Sequence, residues 1–135
     1  MRLRLATVYM PADSPWGVPA YRYDVVVSGA KAGTISFRVG DDDRLVRFAG
    51  HIGFRIDKSF RGHRFAGRAV RRLLPLADSY SLKPLWLGCN PENLPSMRVM
   101  DWLGATYIET VDIPPDYKRY YARGERTKRR YRLDF

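Results

Sequence analysis

The chain has 135 residues, of which 45% are hydrophobic and 28% charged, and a formal net charge of +10. This length and composition predict one folded domain with a real core and exclude a disordered chain. No apolar run reaches the roughly 18 residues of a membrane span, and the excess of Lys and Arg admits a nucleic acid, an acidic substrate or a polyanionic cofactor as partner.

In chain order, Arg2 to Val8 alternates loosely and reads as a first strand. The start lacks the long apolar core and small-residue cleavage site of a secretory signal. The segment from Pro11 to Pro19, PADSPWGVP, reads as a loop. Tyr21, Tyr23, Val25 and Val27 alternate with Arg22, Asp24 and Val26, which predicts a half-buried strand. A hairpin connection follows from Ser28 to Gly33, then a returning strand from Thr34 to Val39 with Ile35, Phe37 and Val39 on one face. After the polar turn GDDD, Arg44 to Asp57 reads as a long strand, with Gly50 and Gly53 as sites of a bulge or close approach.

The period then changes. Apolar residues recur at helical spacing from Phe65 to Tyr80, and Pro75 is expected to kink or divide that helix. Leu85 to Cys89, LWLGC, reads as a short buried strand. Its lone cysteine cannot form an internal disulfide and is expected to be buried and inert, which makes a reducing, cytoplasmic setting the default. A second helix is predicted from about Ser96 to Leu103, ended by Gly104. A strand from Ala105 to Ile113 stops at Pro114-Pro115. Residues 116–124 read as a loop or one helical turn, and 126–135 as a final strand at a sheet edge. The order implies a mixed α/β sheet with helices on its faces.

Residues 50–69, GHIGFRIDKSFRGHRFAGRA, form the centre of this pattern. A strand that runs through a basic, glycine-containing turn into a helix aims free N–H groups and the positive end of a helix dipole at one point. Such a point binds an anion, most often a phosphate.

The segments GHIGFRID, FRGHRFA, RAVRRLLPLA, LWLGC and NPENLPSMRVMDWLGA together resemble the GNAT superfamily of N-acetyltransferases, most closely its ribosomal-protein N-terminal acetyltransferase branch. The resemblance spans about residues 50–113. It implies an α/β (α+β) GNAT fold, a mixed and mostly antiparallel sheet with helices on both faces. It also implies acetyl-coenzyme A as cosubstrate, an amine as acceptor and no metal.

The family's turn pattern, Gln/Arg-x-x-Gly-x-Gly/Ala, holds the cofactor pyrophosphate. Two registers fit. One begins at Arg61, runs through Gly62, His63, Arg64, Phe65 and Ala66, and places Asn93 32 residues downstream; the other matches Arg64, Gly67 and Ala69 and leaves 29. The first agrees with the family spacing and is adopted. Arg64 then stands where glycine is expected, either adding a phosphate contact from ordinary helical geometry or obstructing the cofactor. The resemblance further implies that Phe54, Arg55 and Ile56 line the thioester. Asn93 and Ser96, from N-x-x-S-x-R, would contact the pantetheine arm and open the next helix. Capping alone accounts for Asn93 or Ser96 equally well.

An amine must lose a proton before it attacks a thioester. Relatives place a Glu for this on the strand before the turn, and His51 occupies that position here. It reads either as the base or as a half-buried histidine in a structural hydrogen bond. Met100 stands where a Tyr often protonates the leaving thiolate, with Tyr107, Tyr120 or Tyr121 as substitutes. Departure without a dedicated acid is the remaining option. Trp86 and Trp102 read as core residues.

The dozen residues between the first two strands are too few for the two helices that many relatives place there. A reduced N-terminal helical region is therefore expected, with an acceptor side walled by Trp16 and residues 117–124 that is either open or completed by another subunit, as in a homodimer, or by a partner protein. Two other readings stand beside the enzyme. One is a basic nucleic-acid-binding module built on YKRYYARGERTKRRY. The other is an inactive acetyl-coenzyme A-binding relative.

Overall fold

The computed structural model describes residues 1–135. Seven strands form one sheet: β1 (Arg2–Tyr9), β2 (Ala20–Val27), β3 (Ala30–Arg38), β4 (Ile52–Ile56), β5 (Leu85–Cys89), β6 (Thr106–Asp112) and β7 (Thr127–Leu133). Their spatial order is β1-β2-β3-β4-β5-β7-β6. Helix α1 (Phe65–Ser79) links β4 to β5, α2 (Leu94–Leu103) links β5 to β6, and the short α3 (Lys118–Ala122) precedes β7. All strand pairs are antiparallel except β4 with β5.

The first three strands form the expected meander, with a tighter turn. Ser28 and Gly29 both have positive φ, 50° and 81°, and Val27 pairs directly with Ala30. Two central residues of that kind match the right-handed twist of the flanking strands, so the hairpin closes in two residues rather than six. The β1–β2 connection contains only one 3-10 turn, Pro11–Asp13. The N-terminal helical region is therefore reduced, as the loop length implied.

Helix α1 buries Ala66, Ala69, Val70, Leu73 and Ala77 on one stripe. From Ala69 onward that stripe packs with Ile35 and Phe37 of β3, Ile52 of β4 and Leu85 and Leu87 of β5 in a single core. Each fully buried aliphatic or aromatic side chain contributes about 1.5–3 kcal/mol. Pro75 lies inside the helix at an exposed position and does not divide it. A smaller core of Phe48, Val111 and Ile113, flanked by Trp16, Tyr117, Tyr120 and Tyr121, anchors α3.

Two expectations are corrected. The long strand across residues 44–57 is instead a helical turn followed by β4. Leu45–Ala49 coil as a single π-helical turn, with Leu45 and Phe48 buried, and Gly50 ends it at φ 74°. Asp42 holds its start by accepting the N–H groups of Arg44 (2.9 Å) and Leu45 (3.3 Å). The last strand is not an edge either. β7 inserts between β5 and β6, burying Tyr131 (2% exposed) and Leu133, and leaves β6 at the border. One of its cations is matched within the sheet: Arg130 reaches Glu109 of β6 at 2.7 Å and stacks over Trp86.

The site is positioned by the parallel pair. β4 and β5 share one register pair, Ile52 with Leu87, beside an isolated bridge from Gly50 to Leu87. Beyond it toward their C-terminal ends the strands separate. The face of β4 that would have met β5 is left with unpaired N–H and C=O groups.

Candidate functional site

Two cavities flank this separation, of about 570 Å³ and about 690 Å³. Phe54, Asn93 and Ser96 line both, so the cavities meet where β4 and β5 part.

The smaller cavity holds the turn that the sequence singled out. Phe54, Arg55, Ile56, Arg61, Gly62, Arg64, Phe65, Ala66, Asn93 and Ser96 all line it. His63 does not; its ring lies on the outside against Phe65, centroids 5.4 Å apart. Arg61 ties the turn to the end of β4 by donating from Nε to the Ile56 carbonyl at 2.9 Å. No backbone N–H from Gly62 to Gly67 has an acceptor within the chain. The ladder of α1 starts only with Arg68 N–H on the Arg64 carbonyl, at 2.9 Å. A run of free amides at the start of a 15-residue helix is a cradle for an anion.

Arg64 departs from the expected helical geometry. It is the residue that caps α1, and it sits in the left-handed region at φ 61° and ψ 25°. Glycine adopts that conformation freely, whereas an L-residue with a long side chain pays about 1–2 kcal/mol for it. The glycine preference at this position therefore reflects backbone conformation as well as space. The Arg64 side chain turns toward α2, with its guanidinium 5.6 Å from the Trp102 ring.

Trp102 is a wall of this cavity rather than a core residue. It lies close against Gly67, where an added Cβ would stand 2.5 Å from its ring. Arg71 stacks on it at 3.9 Å. Asn93 caps α2 by accepting the Ser96 N–H at 3.2 Å, while its Nδ2 makes no hydrogen bond within the chain. Asn93 thus caps α2, lines both cavities and keeps an unused amide donor.

The larger cavity opens on the other side of the strand separation. Its floor is Thr34, Ser36 and Arg38 of β3 with Gly53 of β4 and Gly88 of β5. Tyr120, Arg123, Glu125 and Lys128 supply one wall, and Asn90 and Glu92 another. Lys128 and Arg123 hold Glu125 at 3.0 and 2.9 Å. Burial alone would raise the Glu125 pKa, but the Lys128 hydrogen bond and the two nearby cations outweigh it and keep the carboxylate ionised. Burial raises the Tyr120 pKa, so that hydroxyl keeps its proton at neutral pH. Trp16 packs on Tyr117 and Tyr120 with centroids 5.6 and 6.1 Å apart, so both predicted walls of the acceptor side adjoin this cavity through Tyr120. Within the basic segment, Tyr117, Tyr120 and Tyr121 are half-buried against the smaller core, and Tyr131 lies in the main core.

His51 does not face either cavity. It is 1% exposed, and both ring nitrogens are engaged. Nδ1 accepts the Trp86 N–H at 3.0 Å, which places the proton on Nε2, where it is donated to the Gly40 carbonyl at 3.0 Å. Burial lowers its pKa and keeps the ring neutral. No lone pair is left to take a proton from an acceptor, so the geometry corrects the reading of His51 as the base in favour of the structural one. Met100 is likewise core, at 1% exposure. Cys89 is buried, and burial raises its thiol pKa, as expected for an unreactive thiol.

The sequence reading assigned nothing to Thr34, Ser36, Arg38 or Glu92. The alternation TISFR already placed Thr34, Ser36 and Arg38 on the face opposite Ile35 and Phe37. What was missing was that no helix covers that face.

Comparison with known proteins agrees with this architecture. Among proteins of curated function, no sequence match was found. Among solved structures, a probable acetyltransferase superposes with a TM-score of 0.66 at 21% identity, covering 85% of this chain and 62% of the other. The ribosomal L7/L12 α-N-protein acetyltransferase RimL, in complex with coenzyme A, superposes with a TM-score of 0.66 at 18% identity, covering 86% and 62%. The microcin C7 self-immunity acetyltransferase MccE, in complex with acetyl-CoA and AMP, gives 0.64 at 18%, covering 86% and 61%. The chain thus spans somewhat over three-fifths of the length of these structures, and the likeness establishes the fold. The family model for the acetyltransferase (GNAT) domain matches residues 6–106. With that match across most of its length, and with the strand separation and amide cradle in place, this chain belongs to the GNAT acetyltransferase family.

Proposed function

We propose that the chain is an acetyl-coenzyme A-dependent N-acetyltransferase that modifies a primary amine by direct attack on the thioester. The observation that carries the reading is the meeting of two cavities at Phe54, Asn93 and Ser96, one with a free amide cradle and the other with a polar floor. Acetyl-coenzyme A supplies the activated acyl group. The chain's residues must bind it, position an amine beside it and move one proton.

The amides of Gly62 to Gly67 fit a pyrophosphate, and the apolar walls Phe65 and Trp102 exclude water beside it. The unpaired edge of β4 beyond Ile52 offers backbone groups to the amides of a pantetheine arm, as an added strand would use them. Asn93 Nδ2, unused within the chain, is our candidate donor to an acyl or pantetheine carbonyl. Glu92 lines the acceptor cavity next in sequence to Asn93 and has no cation partner, so it is our candidate for accepting the amine proton, directly or through water. Tyr120, protonated at neutral pH, is the candidate donor to the departing sulfur. The acceptor is the amine of a small molecule or of a protein N-terminus, the latter being the acceptor named for the RimL neighbour.

Thermal melting with acetyl-coenzyme A, followed by thiol release with a panel of amines, tests this reading. A ligand at 100 times its Kd stabilises the folded state by about 2.7 kcal/mol, which a melt resolves. Glu92→Gln should lower kcat/KM at pH 7 by about 100-fold and leave the cofactor-induced shift intact. Absence of a shift removes cofactor binding. A shift without thiol release from any amine favours the inactive relative.

A further inference from the structure

The acceptor cavity contains a cation with no counterion. Arg38 is half-buried at the end of β3, and burial lowers its pKa, yet no carboxylate pairs with it. Its Nη1 donates to the Ala49 and Gly50 carbonyls at 3.3 and 3.1 Å, which fixes the guanidinium in place. Nε and Nη2 have no hydrogen-bond partner within the chain. These two donors form one edge of the guanidinium, the edge that binds a carboxylate or phosphate through two parallel hydrogen bonds.

Gly53 pairs with Ser36 beneath the guanidinium, and a Cβ there would stand 2.7 Å from Nη2. Of the two carboxylates lining the cavity, Glu125 is already held by Lys128 and Arg123, and neither it nor Glu92 is an ion-pair partner of Arg38. Ser36 and Thr34 continue the polar row along the strand, giving hydroxyls beside the charge. A desolvated cation fixed by two carbonyls but left without an anion is unfavourable in the free protein and complementary to an anionic ligand.

We propose that Arg38 is an anion-recognition residue of the acceptor cavity, and that the acceptor is an amine carrying a carboxylate or phosphate group. This rests on the acetyltransferase reading for the identity of the amine end, where unpaired Glu92 faces the same cavity. The cavity, about 690 Å³, has room for an amino acid or a short peptide. The anion would lie on the Nε–Nη2 edge, with the amine directed toward Asn93 and the strand separation.

Product-like probes test this without requiring turnover. Binding of N-acetylglycine, its neutral counterpart N-acetylglycinamide, and N-acetyl-phosphoethanolamine is measured by saturation-transfer NMR with coenzyme A present. An anionic probe should bind at least 10-fold more tightly than the amide, with the stronger of the two anions identifying carboxylate or phosphate as the source. Arg38→Gln should abolish that preference, and Arg38→Lys should restore only part of it. Gly53→Ala, which keeps the cation but crowds Nη2, should also reduce it. The coenzyme A-induced melting shift serves as the folding control for each variant. Equal binding of anionic and neutral probes, no binding of any probe, or a preference that survives Arg38→Gln overturns the proposal. Loss of the coenzyme A shift in the unmodified protein would instead overturn the transferase reading.

Discussion

His51 and Trp86 hold each other by two hydrogen bonds, His51 N–H on the Trp86 carbonyl at 2.7 Å and Trp86 N–H on His51 Nδ1 at 3.0 Å. The imidazole takes the place of a backbone acceptor just before the one register pair of β4 and β5. It therefore closes the sheet on the near side of the gap in which the proposed chemistry occurs.

His51→Ala strands the Trp86 N–H and the Gly40 carbonyl and leaves a cavity. Together these should destabilise the fold by about 2–4 kcal/mol, measured by urea unfolding. The titration has a defined sign. With its folded pKa lowered by burial, His51 contributes stability in full above its unfolded value, about 6.5, and that contribution is lost as pH falls toward the folded pKa. Unfolding free energy of the native chain should drop between about pH 7 and 5, and His51→Gln should flatten that drop. An identical slope in the variant would detach the pH dependence from His51.

Arg64 in the left-handed region gives a prediction of opposite direction. Arg64→Gly should stabilise the chain by about 0.5–1 kcal/mol, because relief of backbone strain exceeds the entropy that glycine adds to the unfolded state. Arg64→Val should destabilise it by at least about 1 kcal/mol, since a β-branched residue tolerates positive φ worst. Both are read by chemical denaturation. If Arg64→Gly is the less stable of the pair, the left-handed cap does not exist in solution.

The contact of Gly67 with Trp102 fixes how closely α1 and α2 approach. Gly67→Ala gains about 1 kcal/mol in helix propensity but drives a Cβ to 2.5 Å from the ring, and a net loss of about 1–2 kcal/mol is expected. Trp102→Leu in the same chain should recover most of that loss. A double-mutant cycle by urea unfolding measures the coupling, and additive changes would refute the close contact.

Asn93 combines two roles that can be separated. Asn93→Asp retains the side-chain oxygen that accepts the Ser96 N–H but replaces the free amide donor, so stability should hold within about 0.5 kcal/mol. Acetyl transfer, measured by thiol release, should fall at least about 10-fold. Asn93→Ala should lose about 1 kcal/mol of stability as well. Unchanged transfer in Asn93→Asp would leave the residue only as a cap.

The helices were legible in the sequence because their signals are local. Asn93 ahead of α2 and Gly104 behind it, and the apolar stripe from Ala66 to Ala77, act within one or two turns of backbone. The turn from Arg61 to Ala66 and its distance to Asn93 were legible for the same reason, as a spacing along the chain. In Leu45-Val-Arg-Phe-Ala the apolar pair three residues apart fits a strand or a helical turn, and Asp42 as a cap was the overlooked cue.

What the sequence by itself determined is most of the order of elements, the inward stripe of α1 and the inward face of β3, and the place where an anion-binding turn meets a helix, since all of these follow from period and local hydrogen bonding. The tertiary structure alone decided the rest. Insertion of β7 between β5 and β6 places Lys128 and Tyr131 in the interior. Burial and two fixed hydrogen bonds convert His51 from an apparent base into a brace. The uncovered face of β3 turns Arg38 from an ordinary surface cation into an unpaired charge in a cavity. Each of these depends on which distant segment lies beside the residue, and pairing across the chain is a property that no local period encodes.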